Sequence, residues 1–278
     1  MRPACAALLL TLWCCAAQAQ QRVEVPSLDE RAKSPLVGHW FAAQDATLRR
    51  PAFVMLHGCG GPYDGQGRLS ARMREYAAML NAEGWHALVL DSFSSRGVRQ
   101  LCTQTLGTRE ITQSHRRLDA LGALQWLADR PDTDPSRLAL LGWSNGGSTV
   151  LAATNRKAQA VSRARVAPRA AVGFYPGCDT DNQRGHDASA PLLLLVGGSD
   201  DWTPPQPCID LAAASAGRTR IVVYDGAFHG FDGTAPRRVR KDVPNGAKLG
   251  QGVTVGGDAA AREASQREML LFLRAQLN

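Results

Sequence analysis

The stretch that most constrains this chain is residues 138–147, Leu-Ala-Leu-Leu-Gly-Trp-Ser-Asn-Gly-Gly. An apolar run of strand length stops at Gly142, Ser144 follows, and helix-compatible sequence resumes over residues 148–155. A serine with glycines two places before and after it, here Gly142 and Gly146, is the pattern of a tight strand-to-helix turn. Such a turn strains the serine backbone and lifts its hydroxyl clear of the sheet. The spacing alone arises easily by chance; the strand before it and the helix after it give it weight. The expectation is a nucleophile elbow carrying Ser144.

The rest of the chain must supply a fold around that turn. With 278 residues, 44% of them hydrophobic, it can bury one substantial core, and one catalytic domain over residues 20–278 is the expectation. Residues 1–19 stand apart: Met1-Arg2 is a minimal positive start, residues 3–17 are apolar, and Ala17-Gln18-Ala19 has the small-x-small form of a signal-peptide cleavage site. A spanning anchor needs about 20 apolar residues, more than this run offers. The expected mature chain therefore begins at Gln20, is periplasmic or secreted, and keeps no membrane anchor. Losing Arg2 lowers the formal charge by one from +7. The basic cluster Arg237-Arg238-Val239-Arg240-Lys241 has no aromatic platform or binding motif beside it, so it reads as a solvated loop and excludes a nucleic-acid partner.

Apolar runs of strand length recur at residues 35–42, 52–56, 85–90, 170–175, 191–196 and 221–224. Helical spacing is expected over 68–83, with Met73, Tyr76, Ala77 and Leu80 on one face, over 109–129, with Ile111, Leu118, Leu121, Leu124 and Leu127 inward, and over 259–277. Strands alternating with helices predict an α/β fold with a mostly parallel sheet covered on both faces. Three of the strand ends carry distinctive turns. His57-Gly-Cys59-Gly-Gly61 lacks either glycine-rich phosphate-binding form and reads instead as an oxyanion loop, with the backbone N–H groups of Cys59 and Asn145 as donors. Asp91-Ser-Phe-Ser-Ser-Arg96-Gly opens at the carboxyl edge, where Arg96 or Arg99 either meets an anionic substrate or pairs with Asp91 to hold the loop. Asp200-Asp201 follows the strand at 191–196.

A serine hydroxyl needs a base, and the base needs a carboxylate to fix its tautomer. Among histidines after Ser144, His186 and His229, only His229 sits just beyond a strand in a glycine-flanked turn. Asp200 is the preferred acid, three residues after Gly197 and four before Pro204, with Asp201 as the alternative. His115 reads as structural. No His-Glu-x-x-His or paired Cys-x-x-Cys occurs, so neither metal nor cofactor is expected.

These motifs, with Gly142-Trp-Ser-Asn-Gly, Phe174-Tyr-Pro-Gly-Cys178, Asp200-Asp-Trp-Thr-Pro and His229-Gly-Phe, resemble the dienelactone hydrolase family of α/β-hydrolases over nearly the whole mature chain. The type enzymes of that family carry a cysteine where this chain has Ser144, and they are cytoplasmic. The resemblance implies hydrolysis of a small-molecule carboxylic ester or lactone by a Ser144–His229–Asp200 triad, with Arg96, Trp143, Tyr175 and Trp202 as candidate substrate contacts. Alternatives are a serine peptidase or amidase on the same scaffold and a non-catalytic binding protein that kept the fold. Four cysteines remain after the leader, and four allow three pairings. In this fold the strands before Cys59 and Cys102 are neighbours, as are those before Cys178 and Cys208. Disulfides Cys59–Cys102 and Cys178–Cys208 are therefore expected, against the alternative of four free thiols.

Overall fold

The structure, a computed structural model, describes residues 20–32, 34–44 and 48–278. The expected leader lies outside the described residues. Ten strands are described: β1 Gln21–Val25, β2 Leu36–Phe41, β3 Arg50–Leu56, β4 His86–Asp91, β5 Thr133–Trp143, β6 Ala170–Phe174, β7 Leu192–Gly197, β8 Thr219–Tyr224, β9 Arg238–Arg240 and β10 Val253–Val255. The helices are α1 Ala71–Ala82, α2 Gln113–Ala128, α3 Asn145–Thr154, α4 Gln159–Ser162, α5 Asp179–Arg184, α6 Gln206–Ala213 and α7 Ala259–Leu277. A short 3-10 turn spans Ser94–Arg96.

Eight strands form one sheet in the order β1-β2-β4-β3-β5-β6-β7-β8. From β4 to β8 every pairing is parallel, and β1 and β2 add antiparallel at one edge. Because strand side chains alternate, β3 sends Phe53 and Met55 to one face and Ala52, Val54 and Leu56 to the other. The first face is covered by α1 and α7, through Met73, Tyr76, Leu80, Met269, Phe272 and Leu273. The second is covered by α2, α3 and α6, through Leu121, Leu124, Val150, Leu151 and Leu211. Each fully buried side chain of this kind contributes about 1.5–3 kcal/mol, and both faces are closed, as parallel sheets require. The chain runs from β3 outward to β4, then returns to place β5 on the other flank of β3. Ligand crevices of open α/β sheets form at such a reversal, beyond the carboxyl ends of the strands.

Several elements depart from expectation. α2 starts at Gln113 rather than residue 109, and its buried stripe includes Arg116 and Asp119, whereas Leu118 is only half-buried. The edge strand β1 and the pair β9–β10 were not expected. The latter converts the polar segment 232–257 into a wall beside the sheet's carboxyl edge. Among the described residues no helix is long and apolar enough to cross a membrane.

Candidate active site

β5 delivers Ser144 into a turn with φ 54° and ψ −118°, and α3 begins at the next residue. A side chain in this left-handed range is strained, and the surroundings hold it there: Ser144 N–H donates to Phe174 O at 2.8 Å, and Ser148 N–H donates to Ser144 O at 2.8 Å. The two motif glycines are steric requirements. A Cβ on Gly146 would lie 1.9 Å from Leu56 O, and one on Gly142 would lie 2.3 Å from Gly146 O. The elbow thus packs directly on the end of β3.

Three strand ends converge on that hydroxyl. His229 Nδ1 lies 2.8 Å from Asp200 Oδ2, and His229 Nε2 lies 2.8 Å from Ser144 Oγ. With Nδ1–H donating to the carboxylate, Nε2 carries the lone pair that accepts the serine proton, a tautomer assigned from the network. Asp200 is itself fixed: its Oδ1 accepts Trp202 N–H at 2.8 Å and Thr203 N–H at 2.9 Å, and its Oδ2 accepts Thr203 Oγ1–H at 3.0 Å. Both His229 and Asp200 are buried. The imidazole is bracketed by the rings of Tyr175 and Trp202, each with its centroid 4.6 Å away. Asp201 points elsewhere, accepting Thr254 N–H at 2.7 Å and Thr254 Oγ1–H at 2.8 Å, and so ties β10 to the acid turn.

The loop after β3 lies against the elbow: a Cβ added at Gly58 would sit 3.4 Å from Trp143 O and 3.6 Å from Ser144 Cβ. Among the described residues, the N–H groups of Cys59 and Asn145 donate to no protein acceptor. His57 is buried at the root of this loop, with Nδ1 2.7 Å from Gly58 O and Nε2 accepting Ser92 N–H at 3.3 Å. Burial, with the Arg116 cation beside it, pushes its pKa down to about 3, so it stays neutral and acts as a brace. The structure contains the disulfides Cys59–Cys102 and Cys178–Cys208. The first links the β3 loop to the segment after the 3-10 turn. The second links the loop after β6 to α6.

The candidate substrate contacts fare unevenly. Arg96 does not reach the cleft, and it pairs with neither Asp91 nor an open site. Its guanidinium forms a two-pronged bond to the buried Asp119 of α2 at 2.8 and 2.9 Å and a third contact to Asp29 at 3.2 Å. The reason is α2's turn, which brings an acidic residue to the inner stripe. Asp91 instead accepts Phe93 and Ser94 N–H groups. Trp143 and Tyr175 border the cleft, but their polar atoms are committed to Asp232, which accepts Trp143 Nε1–H at 3.0 Å and Tyr175 O–H at 2.6 Å. Arg72 from α1 adds an ion pair to Asp232 at 3.1 Å. Only Trp202 offers a partly exposed face, over which Arg240 of β9 lies with its guanidinium carbon 5.5 Å from the ring centroid. The cleft has a volume of about 430 Å³ and runs from Ser144 past Tyr63 and Arg72 to the β9–β10 wall. His115, as expected, is structural: Thr112 N–H donates to its Nδ1 at 3.0 Å, closing the cap of α2.

A mostly parallel sheet covered on both faces, with a serine elbow after β5, an aspartate turn after β7 and a histidine turn after β8, defines an α/β-hydrolase. The chain belongs to the dienelactone hydrolase family, whose model matches residues 38–277. Among curated proteins it is similar to an uncharacterized protein of Mycobacterium tuberculosis strain H37Rv, 33% identical over 138 residues, which are 45% of this chain and 49% of that protein. The chain thus spans about half the length of the curated relatives it matches. Its fold is similar to that of a dienelactone hydrolase-like promiscuous phosphotriesterase from metagenomic libraries, with TM-score 0.61 and 20% identity over 94% of this chain and 100% of the other. It is also similar to Thermogutta terrifontis esterase 2 phosphoramylated by tabun, with TM-score 0.62 and 17% identity over 92% and 94% of the two chains.

Proposed function

We propose that this protein is a serine hydrolase of small carboxylic esters or lactones, working as a single catalytic domain through an acyl-enzyme on Ser144. The observation that carries the proposal is the unbroken 2.8 Å relay from Ser144 Oγ through His229 to Asp200, opening into the cleft. As Ser144 attacks the carbonyl carbon, its proton passes to His229 Nε2, and Asp200 stabilises the imidazolium. The charge that develops on the carbonyl oxygen is met by the Cys59 and Asn145 N–H groups, a contribution of about 3–4 kcal/mol per donor. His229 then returns its proton to the departing alcohol, and water repeats the sequence to release the acid. Family membership supports hydrolysis, and the similarity in fold to an esterase supports an ester. Two disulfides support an oxidising compartment, periplasmic or extracellular, since the cytosol keeps thiols reduced.

A panel of p-nitrophenyl esters of graded acyl length, lactones and peptide p-nitroanilides tests the substrate class. Turnover of esters or lactones with no cleavage of anilides is expected. Cleavage of anilides alone would replace this reading with an amidase, and inertness to all three would leave a binding protein.

A further inference from the structure

One buried charge is unused by the chemistry above. Arg116 of α2 is wholly buried, yet among the described residues no carboxylate lies within ion-pair distance of it, and Asp119 and Asp91 act on it only from farther off. A buried arginine normally sits against a carboxylate, because removing its charge from water is costly. This one donates instead to two neutral oxygens. Nη2–H reaches His57 O at 2.8 Å and Nη1–H reaches Asn145 Oδ1 at 2.5 Å, while the guanidinium lies over Phe93 with its carbon 5.2 Å from the ring centroid. The two acceptors belong to the two segments that must be held in register. His57 lies two residues before Cys59, at the root of the β3 loop. Asn145 directly follows Ser144 and supplies the other free amide.

We infer that Arg116 is a positioning residue that fixes the Cys59 and Asn145 amides relative to each other and so sets the width of the oxyanion hole. This rests on the assignment of those amides under the proposed function. The guanidinium suits the task because its nitrogens form a rigid planar fork, so the distance between its two acceptors is set by covalent geometry. A lysine has one nitrogen and reaches one acceptor. Gln113, three residues earlier on α2, donates to Asn145 O at 3.1 Å and holds the same residue from its backbone side. An apolar side chain on this stripe would serve the core at lower cost. Retaining an arginine there is the kind of local exception that marks function.

The test compares wild type with Arg116→Met and Arg116→Lys on the best p-nitrophenyl ester. A fluorophosphonate titration run to completion counts intact sites, so turnover is expressed per competent molecule. A misplaced donor pair lowers kcat per site by about 10–100-fold for Arg116→Met, with KM changed by less than about threefold. Arg116→Lys, which keeps the charge and one contact, falls between it and wild type. A trifluoromethyl ketone matched to the ester forms a tetrahedral oxyanion on the serine, and its affinity falls in step with kcat, whereas inhibition by the product acid stays within about twofold. A purely structural role would lower the number of titratable sites and leave kcat per site and ketone affinity unchanged, and that result overturns the inference. Where Arg116→Met does not fold, Arg116→Lys alone carries the same comparison. If Ser144→Ala retains wild-type turnover, the acyl-enzyme mechanism on Ser144 under the proposed function itself falls. If Ser144 is required and both Arg116 variants keep wild-type kcat per site, only the role of Arg116 falls.

Discussion

Removing the Cys59–Cys102 bridge separates two effects that its position beside the nucleophile would otherwise confuse. The bond joins residues 43 apart in sequence, and the loop-entropy relation assigns such a closure about 4 kcal/mol, exerted mainly on the unfolded chain. At roughly 2–4 °C per kcal/mol for a protein of this size, Cys59→Ala/Cys102→Ala should lower Tm by about 8–16 °C, an upper figure if the unfolded chain retains structure. The native loop has other restraints. Leu101 N–H donates to Cys59 O at 2.7 Å, Gly61 N–H donates to Gly58 O at 3.2 Å, and Arg116 holds His57 O at 2.8 Å. Those bonds survive the substitution, so kcat at 25 °C should fall less than about threefold, because the effect lies in the unfolded state. Calorimetry under non-reducing conditions, paired with initial rates on one ester, reads both quantities. A Tm within about 3 °C of wild type together with a kcat loss above about tenfold would refute this reasoning, since the bridge would then act on the folded loop instead.

Asp200→Asn should reduce kcat by roughly 10³–10⁴-fold through loss of the histidine tautomer, while Asp201→Asn, which weakens only the Thr254 contacts, should stay within about fivefold of wild type. The reverse ranking in steady-state rates would move the acid by one residue. His57 has its pKa lowered by burial to about 3, against an ordinary 6.5, so between those pH values the unfolded chain binds a proton that the native chain does not. Stability conferred by this neutral histidine is full above pH 6.5 and drains as pH falls toward 3, by up to about 1.4 kcal/mol per pH unit. Urea unfolding from pH 4 to 8 should show His57→Gln less stable at pH 8 but less acid-sensitive, and parallel curves would contradict the assignment. Gly146→Ala, whose Cβ would meet Leu56 O at 1.9 Å, should cost about 4 kcal/mol or more; Gly65→Ala, with nothing within 4 Å, should be tolerated in the same thermal melt.

The Ser144, Asp200 and His229 positions were legible because each sits in a short turn directly after an apolar strand, where local sequence dictates local geometry. The pairing of the cysteines followed from the same strand neighbours. Arg96 misled because its partner, Asp119, lies 23 residues away on α2 and announces nothing in the loop that carries the arginine. Arg116 left a faint signal: it lies four residues before Ala120 and eight before Leu124, on the stripe that helical spacing turns inward. An arginine on an apolar stripe asks for a partner, but no spacing rule says that the partners are a carbonyl and an amide on two other segments. Asp232 was hidden differently. It follows His229 by three residues in a segment whose glycines suggest a loop, and its role depends on Arg72, Trp143 and Tyr175 arriving from three separate elements. Contacts assembled from distant parts of the chain are the part of this site that local pattern does not encode.

The central claim is that Ser144 is the nucleophile activated by His229. Intact-protein and peptide mass spectrometry after incubation with a fluorophosphonate tests it most directly, run on wild type, Ser144→Ala, His229→Ala and the double variant. One adduct per wild-type chain is expected, on the peptide bearing Ser144, with no adduct on either variant lacking Ser144 and labelling of His229→Ala slowed by roughly 10³-fold or more. Ester turnover in the double variant should be no lower than in either single one, because triad members act as a unit. An adduct on any other residue, or turnover preserved in Ser144→Ala, would contradict it.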